Sequence, residues 1–254
     1  GSVVSVTCSD CLDPVGGMPS LESGSVHAVV TDPPYCSGGA TEAGRANAPG
    51  QGLRSETLRG GRFSWFAADN MTTQGLVWLL RECAVQWARL LVEGGSAIVF
   101  CDWRMFPILA PALESSGLRY QNLIVWDKGS MGLGRGFRMQ HELAIHLTNG
   151  VGRYYSADVG NVIQCRRVRE DEREHATQKP VDLLARMVST VSPPNGLVID
   201  PFCGSGSVGV ACASTGRRFR VGELSSENVE ISRRRIAGEP RTGAAQIPMF
   251  GAAS

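Results

Sequence analysis

Val198-Ile199-Asp200-Pro201-Phe202-Cys203-Gly204-Ser205-Gly206-Ser207 is the stretch on which the architecture turns. A short apolar run ends in an acid, passes through a glycine turn and opens a small-residue segment, 208–213, suited to a helix lying close to a sheet. A strand feeding a glycine turn and then a helix N-terminus lets a ligand approach the backbone and meet free N–H groups. By itself a G-x-G is a weak signal. The next apolar run, 219–222, ends at Glu223, about 20 residues past the glycines, where a carboxylate can accept hydrogen bonds from both hydroxyls of a ribose. The pairing points to an adenosine-containing cofactor; alone, Glu223 also reads as an acid near the start of a helix at Ser225.

Outward from this unit, further strands are expected at 3–8, 26–31, 96–101, 121–126, 143–147 and 197–199, seven with 219–222. Leu76, Leu79, Leu80, Cys83, Ala84, Trp87, Leu90 and Leu91 recur at spacings of three and four, one face of a helix ending before Glu93-Gly94-Gly95, with the next strand from Ser96. Pro180 suits the first turn of a helix carrying Leu183, Leu184, Met187, Val188 and Val191, stopped by Pro193-Pro194-Asn195-Gly196. Near-continuous apolar strands alternating with helices imply an α/β fold whose mostly parallel sheet is covered on both faces. Two stretches break the rhythm: 36–70, Gly- and Arg-rich and too long for an ordinary connection, and 150–174. The expectation is one domain over 1–237 and a tail over 238–254.

The 254 residues, 43% hydrophobic and 19% charged, exclude a disordered tail protein. No apolar run approaches the roughly 20 residues of a membrane-crossing helix, and no secretion signal opens the chain, so a soluble intracellular protein is expected. With 25 basic and 24 acidic side chains the net charge is +1, and any nucleic-acid binding must come from local patches. Of eight cysteines, Cys101, Cys203 and Cys212 sit in apolar contexts and read as reduced. Cys8 and Cys11 lack the second ligand pair of a structural zinc site, so no metal is expected.

Asp32-Pro33-Pro34-Tyr35 follows the apolar run ending at Thr31. Ligands of open α/β sheets bind outside the carboxyl ends of strands, so the tetrapeptide lies where chemistry is expected. Consecutive prolines fix the backbone, and an Asp side chain with a rigid carbonyl can together accept both hydrogens of an amino group. The Tyr35 ring can stack on a planar base. A strand-ending turn with an aromatic lid fits the same four residues. His175-Ala176-Thr177-Gln178-Lys179-Pro180 stands at the mouth of a predicted helix, where hydroxyl, amide and ammonium groups can hold an amino-acid zwitterion or simply cap the helix.

Together these elements resemble the beta class of DNA amino methyltransferases, in which D-P-P-Y precedes F-x-G-x-G along the chain. The resemblance spans 9–236. Ser9-Asp10-Cys11-Leu12 is similar to the family's G-D-C-L, with Ser for Gly, and His175 to Leu184 to its H-P-T-Q-K-P-x-x-L-L, with Ala176 for Pro. Gly222-Glu223 and the following helix are similar to its G-x-E segment. The resemblance implies a Rossmann-like fold in circularly permuted motif order and S-adenosylmethionine as cofactor. It assigns Asp10 and Cys11 to the adenine edge and Glu223 to the ribose. Asp200 with Phe202, Cys203, Gly204, Ser205 and Gly206 would hold the methionine part, and Thr177, Gln178 and Lys179 its carboxylate, although Phe202 also reads as core packing. Asp32, Pro33, Pro34 and Tyr35 would act on an extrahelical base.

The implied activity is methylation of adenine N6 in double-stranded DNA by base flipping, since Asp at the first motif position more often accompanies adenine enzymes. Cytosine-N4 methylation and an inactive nucleic-acid-binding relative are the alternatives. DNA contacts are expected from Arg45, Arg54, Arg59 and Arg62 in the long loop and from Arg166 and Arg167 in 150–174, a short target-recognition insert. Gln246, Met249 and Phe250 resemble a peptide that docks on the bacterial sliding clamp. A homodimer is a further possible partner arrangement, and a cytoplasmic, nucleoid-associated setting in a bacterium or phage-infected cell is implied.

Overall fold

The computed structural model describes residues 4–35, 71–132, 135–156, 159–169 and 178–239. Among the described residues eight strands form one sheet: β1 (Val4–Cys8), β2 (Val26–Thr31), β3 (Leu91–Cys101), β4 (Arg119–Asp127), β5 (His141–Thr148), β6 (Val162–Gln164), β7 (Leu197–Asp200) and β8 (Arg218–Glu223). Their order is β1-β8-β7-β2-β3-β5-β4-β6. The pairings are parallel except where β5 lies antiparallel between β3 and β4.

The expected seven strands are all present, and β6 is an eighth. It falls inside 150–174, where Val162–Gln164 adds a strand at the sheet edge. At three residues β6 is too short to register as a pattern, and its pairing to β4 (Val125↔Val162 to Asp127↔Gln164) defines it. Trp126 Nε1 donates to the Cys165 carbonyl at 2.7 Å and anchors it.

Helix α1 (Thr73–Leu90) starts at an N-cap, Thr72 Oγ1 accepting from Gly75 N at 3.1 Å, and buries the predicted stripe Leu76, Leu80, Cys83, Ala84, Trp87 and Leu90. β3 follows without a break, five residues earlier than expected. Gly94 and Gly95 run within it because the irregular register against β2 passes from Val26↔Leu91 to Ala28↔Ser96. Gly94 has φ +78°, and a Cβ there would meet the Val151 carbonyl at 2.7 Å, so only glycine fits. Helix α2 (Phe106–Glu114) contains Pro111 and carries no helical signature in the sequence; Leu109 and Leu113 hold it on the sheet. Helix α3 (Val181–Val191) begins after Pro180, which is its N-cap. Helices α4 (Ser207–Ser214) and α5 (Ser226–Ile236) follow, α5 with Glu227 in its first turn and Arg233, Arg234 and Arg235 in its last, the polarity its dipole favours.

Alternation along the strands divides the core. Val29, Val99, Ile145 and Leu147 face α1 and α2; Ala28, Val30, Ile98, Phe100, Ala144 and Trp126 face α3 and α4. No helix of the described residues is long and apolar enough to cross a membrane.

Candidate active site

The two motif-bearing strands, β2 and β7, are far apart in the chain and adjacent in the sheet, pairing as Ala28↔Val198 and Val29↔Ile199. Their carboxyl ends therefore deliver Asp32-Pro33-Pro34-Tyr35 and the Asp200 to Ser205 turn to one place. A cavity of about 450 Å³ opens there. Among the expected site residues, Asp32, Pro33, Pro34, Tyr35, Asp10, Cys11, Gln178, Lys179, Asp200, Phe202, Cys203, Gly204, Ser205 and Glu223 all line it.

One end of the cavity is built from backbone and acids. Gly204 and Gly206 have φ +50° and +79°, which shapes the turn ahead of α4. Gly206 itself does not face the cavity. It packs on α5, where a Cβ would meet Ser232 at 2.9 Å, so its part is to bring two helices together. Glu223 is fixed by Gly204 N and Ser225 N, each at 2.9 Å, one on either oxygen; each oxygen keeps acceptor capacity for a hydroxyl. Asp10 Oδ1 accepts from Leu12 N at 2.8 Å. Arg235 holds Ser205 through its carbonyl and hydroxyl. Asp200 accepts from Thr31 Oγ1 at 2.7 Å and from Phe202 N at 3.1 Å. Burial pushes its carboxyl up to about 7, against the pull of those hydrogen bonds. Glycine turn, paired acids and apolar walls suit an adenosyl group. Phe202 lines the cavity and packs partly on the core.

The other end holds a charged cluster. Lys179 Nζ forms an ion pair with Asp32 Oδ2 and a second, at 3.2 Å, with Glu142 Oε2. Lys128 Nζ reaches Glu142 Oε1 at 2.6 Å. The Tyr35 hydroxyl donates to Asp32 Oδ1 at 2.7 Å and lies 3.3 Å from Glu142 Oε2. Strand parity explains the meeting: Asp32 continues the face of Ala28 and Val30, Glu142 that of Ala144, and Lys128 that of Trp126, all toward α3, at whose start Lys179 stands. Burial raises the Asp32 carboxyl above its ordinary range in spite of Lys179, and the like charge of Glu142 adds to the rise. For Glu142 burial acts the same way, but Lys179 and Lys128 outweigh it and hold the carboxyl near about 2. Burial disfavours the Lys179 ammonium, yet the two carboxylates prevail and raise its pKa.

This places Lys179 differently from the carboxylate-binding role implied by the resemblance: its ammonium is turned to Asp32. Sequence reasoning missed Glu142 and Lys128, single charges flanking apolar runs whose in-facing parity was the available signal. It also missed Trp78 and Leu79 of α1, which wall the cavity. Arg166 and Arg167 are exposed beyond β6. Thr177, Arg45, Arg54, Arg59, Arg62, Gln246, Met249 and Phe250 lie outside the described residues. Among the described residues no group of three His, Cys, Asp or Glu is placed to hold a metal ion. Cys8 and Cys11 do not face each other as ligands; the Cys11 sulfur lies 3.7 Å from that of Cys83.

A family described as DNA methylase, of the N6/N4 group, matches residues 26–234. The type II methyltransferase M.HpaI of Haemophilus parainfluenzae is 23% identical over 255 residues, covering 90% of this chain and 74% of that protein. Among solved structures, the complex of M1.HpyAVI with SAM aligns with a TM-score of 0.62 at 21% identity, over 91% of this chain and 99% of that one. The PvuII DNA methyltransferase, cytosine-N4-specific, aligns with a TM-score of 0.65 at 15% identity, over 94% and 97%. A match across most of the chain, on a sheet that brings D-P-P-Y beside the glycine turn, has one meaning: the chain belongs to the N6/N4 DNA methylase family.

Proposed function

We propose that the protein transfers a methyl group from S-adenosylmethionine to the N6 amino group of adenine in double-stranded DNA. The observation that carries this reading is the single cavity shared by Asp32 and Pro33 at one end and Gly204 and Glu223 at the other. The cofactor supplies an electrophilic methyl on a sulfonium. Asp10, Glu223 and the turn at Gly204 would hold it, and as its methyl passes to the amine Asp32 would take the proton the amine releases and hand it to solvent.

The residues contribute position. An exocyclic amine is a poor nucleophile because its lone pair is delocalised into the ring. Asp32 and the Pro33 carbonyl accept its two hydrogens and help the nitrogen become tetrahedral, while the Tyr35 ring stacks on the base. The target atom is out of reach inside a duplex, so the base flips into the cavity at a cost of a few kcal/mol. Apolar walls such as Phe100 and Leu184 exclude water there, which favours a reaction that neutralises the sulfonium.

The DNA approaches the carboxyl edge of the sheet. β6 is parallel to β4, so Arg166 and Arg167 emerge at the same edge as Asp32 and meet phosphates. The unit is 1–237, working among the chromosomal DNA of a bacterial or phage-infected cell. Asp32 as first motif residue favours adenine. Incubating the protein with DNA and labelled cofactor, digesting to nucleosides and running mass spectrometry tests the proposal: N6-methyladenine supports it, N4-methylcytosine replaces the target, and no methylated base with cofactor still bound leaves a binding protein.

A further inference from the structure

Both oxygens of the Asp32 carboxylate are engaged within the protein, one by the Tyr35 hydroxyl and one by the Lys179 ammonium. A carboxylate that must grip an amino group has to give up at least part of this, and an ammonium is a stronger donor than an aromatic amine. The same two donors have a second acceptor in reach. Glu142 Oε2 lies 3.2 Å from Lys179 Nζ and 3.3 Å from the Tyr35 hydroxyl. Its other oxygen is tied by Lys128, whose ammonium sits 5.0 Å over the Trp126 ring, so Glu142 is held in place rather than free to swing away.

We infer that Glu142 is a positioning residue: it takes over Lys179 and Tyr35 when the target base arrives, freeing Asp32 for the amino group. This rests on the proposed methyl transfer, and no mobile segment is needed for it. Two carboxylates and two ammoniums make the cluster neutral, so Lys179 can shift between acceptors without leaving a buried charge unpaired. The other titratable groups facing it are the Tyr35 phenol, the Cys101 thiol, Asp102 and Asp200, with Arg167 beyond Lys128.

The test is kinetic and electrostatic together. In Glu142→Gln, Lys179 stays on Asp32, so kcat at its pH plateau falls by about 10-fold or more while cofactor affinity changes less than about twofold. The like charge that disfavours an ionised Asp32 is gone, so the acid limb of the kcat profile moves to lower pH even as the plateau drops. Glu142→Asp keeps the charge and recovers most of the plateau with the limb near its original place. Lys128→Met removes a positive charge from the same cluster and moves the limb up. A merely structural role would lower the plateau equally in both Glu142 variants and leave the limb still. That result, or an unchanged plateau in Glu142→Gln, overturns the inference.

A ¹³C NMR titration of the Asp32 carboxyl reads the coupling without turnover. Its midpoint falls in Glu142→Gln and rises in Lys128→Met; unmoved midpoints overturn the inference. If the unaltered protein methylates no DNA, the proposed function fails on that measurement, while the titration still decides whether Glu142 and Asp32 share these donors. Should Glu142→Gln not fold, Lys128→Met carries both readouts.

Discussion

Thr31 Oγ1 donates a 2.7 Å hydrogen bond to Asp200 Oδ1, joining residues 169 apart in the chain at the ends of two neighbouring strands. The bond ties the end of β2, ahead of Asp32, to the glycine turn that follows β7. Asp200 is otherwise enclosed, and burial sets its carboxyl near about 7. A cationic ligand in the cavity favours the ionised form, so binding releases a proton and affinity rises with pH until Asp200 is ionised in the free protein. S-adenosylmethionine should bind on the order of 10-fold more weakly at pH 6 than at pH 7.5. Calorimetry in two buffers of different ionisation enthalpy reads both the affinity and the released proton. Asp200→Asn should flatten the dependence; an equally steep one in that variant would assign the titration elsewhere.

Asp32→Ala should reduce methyl transfer by on the order of 10²–10³-fold, the usual loss for one preorganised hydrogen-bonding group at a reacting centre. Cofactor affinity should change far less, because the bonds of Asp32 run to Tyr35 and Lys179 rather than to the glycine turn. A filter-binding assay with tritiated cofactor on DNA, paired with calorimetry, separates the two.

Stacking alone would let Tyr35→Phe pass almost unnoticed. The hydroxyl, however, bonds Asp32 and lies within reach of Glu142, so its loss removes the bond to Glu142 that would hold the ring in place once Asp32 turns to the base. A fall in kcat of about 10-fold is expected for Tyr35→Phe, with Tyr35→Ala losing base affinity as well. Phe equal to the unaltered protein would return the residue to a purely stacking role.

His146 donates to or accepts from Ser96 Oγ at 3.2 Å and meets the edge of Tyr154. Burial lowers its pKa to about 4. The unfolded chain then binds more protons than the folded one between about 6.5 and 4, so this group's contribution to stability is lost as pH falls through that window, on the order of 3 kcal/mol in all. Asp200, with its raised pKa, slopes the other way over part of the range. The comparison is therefore between the protein and His146→Gln: urea melts at pH 7 and pH 4.5 should show the unaltered protein losing stability relative to the variant on acidification.

Reversing the charges of Arg166 and Arg167 should weaken DNA binding at all sequences and flatten its salt dependence by a log–log slope of about 0.9 for each phosphate contact removed. Fluorescence anisotropy across a salt series gives that slope. Unchanged slopes would move the DNA away from the β6 side of the edge.

Much of the molecule was legible because its signals are local. Apolar runs announced seven strands, the stripe from Leu76 to Leu90 announced α1, and the glycines after Asp200 announced the turn into α4, each within a window where neighbours in sequence are neighbours in space. Helix α2 was hidden because Pro107 and Pro111 read as breakers while sheet contacts, not propensity, hold it. Strand β6 was hidden because three residues carry no period.

The sequence by itself determined which residues could do chemistry and the order in which they stand: Asp32 to Tyr35 ahead of Asp200 to Glu223, each after a strand. Only the tertiary structure decided what those residues touch. Strand order set β2 against β7 and brought β5 near enough for Glu142 to share Lys179 and Tyr35 with Asp32. The reason is that a buried charge takes whatever partner the register of the sheet delivers, and register is a property of pairings between distant segments, with no trace in the spacing of any one of them.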